Sequence, residues 1–582
     1  MKRTLSLLLA LCILVSLAPA AIAEAPEAAG HTWEVRTYPL YVANDETMIE
    51  EAFPLIFMDD IDDLPWIDLE VLALEVTNIM ANVYGSQGFN LDYRVEGATV
   101  TLERENTYDM IVNLDDNTIT FDDYNGFLSK PNQERLLDML SYSGFNEDGE
   151  AALFQRDTEA SYDRYGDAVT IRLSDYDISL TAVDNHVLMP LQTANDLVFS
   201  PMMHRAAMFN GQGVFVINGN DLDGREGDLS GIGELYYSAQ PTQRSQALSD
   251  FGLNELSLML DYHYGLKEKH DIASFRKMFW QMGLDEALAS ADPVKADQAL
   301  HNFLSFTLDD VHTFFQYPSW MTGPENVQRK NGPSRVFNDT QEGAYQELRA
   351  QVQGPENVMD YLEVGNTAYI TFDGFSSDYS ADGYYAMMEP DGDYCNDTIG
   401  LIIAARKDIF RENSPIENVV IDLTCNTGGQ ADAALFVISW ILGKAEVSVV
   451  DALTGAQSTL VYRADVNLDH QFDEQDTLND KRVYCLISPV SFSCGNLVPS
   501  VCKAHQAVTL IGRTSGGGAC VVQPMSSAWG SMFNISGNNR LSFRRNGSFY
   551  DIDEGVDPDI YIDHLETLYD RQALTDLINN LK

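Results

Sequence analysis

The stretch Asn418-Val419-Val420-Ile421-Asp422-Leu423-Thr424-Cys425-Asn426-Thr427-Gly428-Gly429 frames the reading of the whole chain. Its apolar half predicts a buried strand, and the glycine pair ends it in a tight turn before an apolar helix over 431–442. Adjacent glycines let the backbone approach a ligand and leave amide N–H groups to face an anion. A plain strand–turn–helix connection satisfies the same pattern. Downstream, Arg482 to Ser488 predicts a second apolar strand, which leads into Ser491-Phe492-Ser493-Cys494-Gly495-Asn496 and a helix from about Leu497. A serine at such a junction feels the positive end of the helix dipole, where an oxyanion is stabilised. Serine is equally a good helix N-cap.

Three more segments complete the set. Ala507 to Gly512 predicts a strand, and Gly516-Gly517-Gly518 follows it. Asp553-Glu554-Gly555-Val556-Asp557-Pro558-Asp559 comes later. Far upstream stands Asp309-Asp310-Val311-His312-Thr313. From about 358 to 582, strands and helices alternate as in α/β folds.

Outward from this core, the rest of the chain predicts other modules. Residues 24–125 read as a small α+β accessory module, with a hairpin from Pro54 to about Leu69, a helix over Leu69 to Tyr84, and strands near 91, 98 and 117. Residues 126–239 read as a mixed, β-rich region. Residues 240–330 read as a helical segment that carries His312, and Asp292 before Pro293 is its predicted N-cap. The fold class is therefore multidomain α/β: an N-terminal α+β accessory region, a helical segment, then a C-terminal α/β core.

Met1-Lys2-Arg3, the uncharged apolar run from Leu5 to Leu17, and small residues at Ala18, Ala20, Ala21 and Ala23 predict a secretory signal peptide over 1–23. That implies a secreted or cell-envelope protein, with no membrane span once the signal is cleaved. The 36 Lys and Arg residues against 88 Asp and Glu give a net charge of −52. Such a surface repels nucleic acid and anionic lipid. Seven cysteines are present, and the six outside the signal all fall late in the chain. Their spacing fits no zinc site, and disulfides and free thiols both remain open.

Taken in order, the five segments resemble the tail-specific, C-terminal-processing serine peptidase family, with its "IDLRxNxGG", "GxxTxGG" and "GVxPD" motifs. The resemblance covers roughly residues 300–565. It implies a crotonase-like α/β core and a serine-type peptidase with Ser493 as nucleophile. It also implies an oxyanion site between the amide of Gly428 or Gly429 and that of Cys494. One branch of the family uses a lysine, but Thr514 to Gln523 holds none. The tricorn-like branch uses a histidine from "DGHT", which His312 in Asp310-Val311-His312-Thr313 matches with valine in place of glycine. His312 is therefore the implied general base. The gap from Thr313 to about Val358 is too short for the PDZ module that the lysine branch often carries. A carboxylate near "GVxPD" orients the histidine in the family, which points to Glu554 or Asp553. The implied partner is a polypeptide substrate held as an added strand near its C-terminus. The sequence departs from the pattern at Asn496, where a glutamate is expected, and at Thr424 and Thr427. A catalytically impaired peptide- or ligand-binding protein on the same fold is the alternative.

An acidic insertion over 463–480 holds one further pattern. Asp465, Asn467, Asp469, Asp473 and Asp476 fall at positions one, three, five, nine and twelve of a calcium loop, with the Gln471 carbonyl at seven. This predicts a structural Ca2+, with no cofactor required for catalysis. His470 stands where such loops place glycine.

Overall fold

The computed structural model describes residues 32–581 apart from 45–46, 85, 87, 105–107, 129–152, 157–161, 223–230, 240–241, 380 and 388–393. The expected signal peptide lies outside the described residues. Among those residues, no helix is long and apolar enough to cross a membrane.

The C-terminal core is built on a six-stranded sheet. Its order is Tyr361–Val364, Thr367–Thr371, Asn418–Asp422, Arg482–Ile487, Val508–Gly512 and Ile560–Tyr561. The first pair is antiparallel and every later pair is parallel. All five residues of Asn418–Asp422 are buried, as expected of a strand covered on both faces. Helices Thr398–Ile409, Ala431–Leu442 and Cys494–Ala504 supply crossover connections. Asp422 is spent on structure. Its carboxylate takes the Thr424 N–H and hydroxyl and forms a buried ion pair with Arg571 at 2.7 Å, which pins the C-terminal helix Arg571–Asn580 to the sheet.

An eight-stranded sheet packs beside it, and its central strand Met532–Arg545 pairs with Phe314–Tyr317, Ala445–Asp451, Cys520–Ser526 and Ser548–Tyr550. The interval between His312 and the core holds that strand, Phe314–Tyr317, and the 21-residue helix Pro333–Gln353. The helical segment forms as expected: Gln246–His263 and Pro293–Asn302 are helices, and Asp292 caps the second by accepting the Val294 N–H at 3.0 Å.

The boundary expected between 125 and 126 is corrected. Strand Val169–Arg172 pairs with Thr118–Phe121 in a five-stranded sheet. In a seven-stranded sheet, His186–Pro190 pairs with Trp66–Asp68, and Val214–Ile217 runs parallel to Trp33–Asn44. Residues 33–217 thus interleave, because each sheet needs strands from both halves to cover its apolar face. The boundary at 358 is crossed too. Phe154–Arg156 and Tyr162–Arg164 add to strand Gln457–Ala464 of the core. The hairpin expected near Pro54 is a single cross-strand pair, Ile56 with Trp66. The long hairpin is instead Trp33–Asn44 with Thr47–Met58.

Candidate active site

Ser493 sits where strand Arg482–Ile487 gives way to helix Cys494–Ala504. Its backbone is left-handed, with φ 55° and ψ −122°. A non-glycine residue tolerates that region only where its surroundings enforce it. The enforcement comes from three hydrogen bonds. Phe492 N–H donates to the Asn426 carbonyl (3.1 Å), Ser493 N–H to that of Gly517 (2.9 Å), and Gly495 N–H to that of Phe492 (2.8 Å). Ser493 occupies the N-cap position, yet its side chain makes no capping bond. The structural work falls to Ser491, whose hydroxyl donates to the Leu423 carbonyl at 2.6 Å and accepts the Ser488 N–H at 3.0 Å.

The glycine turn lies directly against this serine. A Cβ on Gly428 (φ 108°) would stand 2.6 Å from Ser493 Cβ and 3.1 Å from its Oγ. A Cβ on Gly429 (φ 134°) would stand 2.1 Å from the Phe375 carbonyl oxygen. The two amides differ. The Gly428 N–H donates to Asn426 Oδ1 at 3.0 Å, whereas those of Gly429 and Cys494 have no partner among the described residues. The triplet at 516–518 is equally confined. A Cβ on Gly517 would lie 1.9 Å from the Asp553 carbonyl oxygen, and one on Gly518 2.5 Å from the Phe492 ring.

His312 reaches the same place through Phe492. Their ring centroids are 4.7 Å apart at 56°. No hydrogen bond joins His312 to Ser493 among the described residues, and such bonds often tighten only when substrate binds. Burial pushes the imidazole pKa below its ordinary value. Asp310 and Asp553 act against that shift, and Arg335 acts with it. At neutral pH the ring is therefore an unprotonated base.

The carboxylates near the histidine are placed differently from one another. Glu554 is 84% exposed and pairs with Lys269 at 2.5 Å. Asp553 is buried by comparison, and burial pushes its carboxyl up. The Ala519 N–H at 2.8 Å and Lys269 at 2.6 Å outweigh that and hold it below the ordinary range. Asp310, two residues before the histidine, accepts hydrogen bonds from the Tyr264 and Ser536 hydroxyls.

Asn496 is fully buried. Its amide donates to the Ile552 carbonyl at 2.9 Å, and its Oδ1 accepts from Ser515 at 2.7 Å. It braces the helix, the glycine triplet and the 551–556 segment together. Cys494 is buried, its thiol donates to the Gly429 carbonyl at 3.3 Å, and burial pushes its pKa up to about 12. Such a thiol is an inert group rather than a nucleophile. All six described cysteines are buried, and Cys425, Cys485, Cys494, Cys502 and Cys520 are free thiols.

The 465–476 loop closes on itself. Asp465 accepts the N–H groups of Asp469 (3.1 Å) and His470 (2.7 Å). Asp476 accepts those of Val466, Asn467 and Asp473. Asn467 Oδ1 accepts from Asp469 N–H, and Asp469 Oδ1 from Gln471 N–H. His470 takes the left-handed φ of 62° and stacks on Tyr385. Among the described residues no group of three or more His, Cys, Asp or Glu is placed to hold a metal ion.

Ser493 thus stands confined above a parallel sheet, with the Gly429 and Cys494 amides and the buried His312 ring close by. Residues 366–562 match the model of peptidase family S41, so this part of the chain is an S41 peptidase domain. No curated protein matches the chain. Similar solved structures include a photosystem II D1 C-terminal processing protease, at 17% identity and TM-score 0.25, covering 34% of this chain and 42% of that one. A lipoprotein from Streptococcus agalactiae is 12% identical, with TM-score 0.35 and coverage of 59% and 98%. The tricorn protease is 13% identical, with TM-score 0.23 and coverage of 44% and 21%. The match thus spans less than half of the first of these structures.

Proposed function

We propose that the chain is an exported serine endopeptidase in which Ser493 attacks a peptide carbonyl and His312 takes the serine proton. The carrying observation is Ser493 itself: a left-handed backbone at a helix N-terminus, a hydroxyl free of capping, and Gly428 packed against it. The acyl-enzyme forms as His312 returns its proton to the leaving amine, and water then hydrolyses the ester. The tetrahedral oxyanion is stabilised by the unpaired Gly429 and Cys494 N–H groups, the second at the positive end of the helix dipole. The Gly428 amide, engaged by Asn426, acts through shape rather than as a donor. The substrate is a polypeptide, bound as an added strand on a crotonase-like core. Export rests on the N-terminal signal pattern alone.

The test is hydrolysis of an unstructured polypeptide by purified mature protein beside S493A and H312Q. Cleavage by the native chain that falls to background in both variants supports the proposal. Equal turnover by S493A overturns it. Peptide binding with no turnover by the native chain would favour the impaired, binding-only alternative.

A further inference from the structure

Two carboxylates act on the His312 ring, Asp310 and Asp553, and their charges are not equivalent. Lys269 sits on Asp553 at 2.6 Å and on Glu554 at 2.5 Å, so one ammonium compensates both. Among the described residues no Lys or Arg forms an ion pair with Asp310. Its Oδ2 takes the Tyr264 hydroxyl at 2.8 Å, and its Oδ1 takes the Ser536 hydroxyl at 2.6 Å. Two neutral donors fix the carboxylate without cancelling its charge.

The same bonds set the position of the histidine. Thr313 N–H closes a turn onto the Asp310 carbonyl at 3.1 Å, and the Thr313 hydroxyl accepts the Ser536 N–H at 3.0 Å. His312 therefore stands inside a short turn bolted at both ends to strand Met532–Arg545. Tyr264 also contacts the His270 ring at 3.2 Å, which ties the arrangement to the helical segment.

We infer that Asp310, rather than Glu554 or Asp553, is the carboxylate that positions His312 and stabilises its imidazolium during acyl transfer. The inference rests on the reading of His312 as general base. It moves the role from the "GVxPD" end of the chain to the motif of the histidine itself. Other charges face the ring as well. Arg335 opposes protonation and Asp553 favours it, and Cys520 and the Tyr264 phenol lie near Asp310 as neutral groups. Among those that favour the charged ring, Asp310 has the larger influence.

The test is the pH profile of kcat/KM for peptide hydrolysis by full mature protein. D310N keeps the size and one hydroxyl acceptor, while the other hydroxyl must turn to accept from the amide, and it removes the charge. It is expected to lower the plateau at least about tenfold and to move the acid limb to lower pH, because the imidazolium loses its support. D310E is expected to restore the limb, while E554Q stays within about twofold of the native plateau with an unmoved limb. A purely structural role would lower the plateau without moving the limb. Should D310N fail to fold, Y264F and S536A each strip one neutral donor from the carboxylate. Both are then expected to move the limb upward. An unmoved limb in D310N, or in both donor variants, overturns the inference, as does an E554Q or D553N limb that moves in its place. H312Q separates the two readings. Full activity there removes the general base itself and with it this role. A dead H312Q beside an unmoved D310N limb removes the role alone.

Discussion

The two sides of the candidate active site are built on different principles. On the nucleophile side, between Asn418 and Gly518, position is held by backbone: glycines no other residue can replace, and a left-handed serine. On the base side, from Tyr264 to Thr313, position is held by side chains, through Tyr264, Asp310, Ser536 and a ring contact with Phe492. The first side is rigid by steric exclusion. The second depends on hydrogen bonds and charge, which substitutions tune and pH alters.

The difference ranks the expected effects. S493A should remove on the order of 10^3-fold or more of peptidase activity without a change in fold. G428A should follow, with a loss of at least about 100-fold, because its Cβ would meet Ser493 Cβ at 2.6 Å. Comparable activity in G428A would break the claim that backbone shape governs this side. On the base side, H312Q should cost on the order of 10^2- to 10^4-fold. Because burial lowers the His312 pKa, the native acid limb should lie below the ordinary imidazole value. A limb at or above that value would contradict the burial argument.

Sequence legibility followed the same division. Gly428, Gly429 and the 516–518 triplet were readable because a missing Cβ is itself a statement about close approach. Ser493 was visible only in company, since its residue type also suits a helix cap. His312 was readable as a motif, but its support was not. Tyr264 and Ser536 reach Asp310 from 46 and 226 residues away, and no local pattern encodes such pairings. Glu554 was suggested by its neighbourhood, yet Lys269, from a distant helical segment, occupies it. The N-terminal boundaries failed for a related reason. Alternation marks the strands near 91, 99, 118 and 169, but not which sheet each will join.

A third region sharpens the contrast by being neither backbone-locked nor solvated. Asp196 and Glu255 are fully buried with their carboxyls facing one another, so that a shared proton joins them. Gln192 and Asn195, which hold Asp196, also reach Ser526 in the strand that follows the glycine triplet. Burial pushes Glu255 up to about 7 and raises Asp196 as well. A raised folded-state pKa gives stability that is present below the unfolded value, about 4, and is lost as pH rises through the folded one. The melting temperature should therefore fall by a few degrees as pH climbs from about 4 to about 7 and level off above that. E255Q should flatten that fall, and an equally steep fall in E255Q would contradict the assignment. The smallest effect concerns the 465–476 loop. The ligand spacing of Asp465, Asn467, Asp469, Asp473 and Asp476 predicts a higher melting temperature in calcium than in chelator. Coincident melting would remove the metal site.

The central claim is tested most directly by labelling native protein with a fluorophosphonate and mapping the adduct by peptide mass spectrometry. The account predicts a single adduct on Ser493, formed more slowly as pH falls through the His312 acid limb and absent from S493A. An adduct on another residue, or an S493A variant that labels as fast as the native chain, would contradict it.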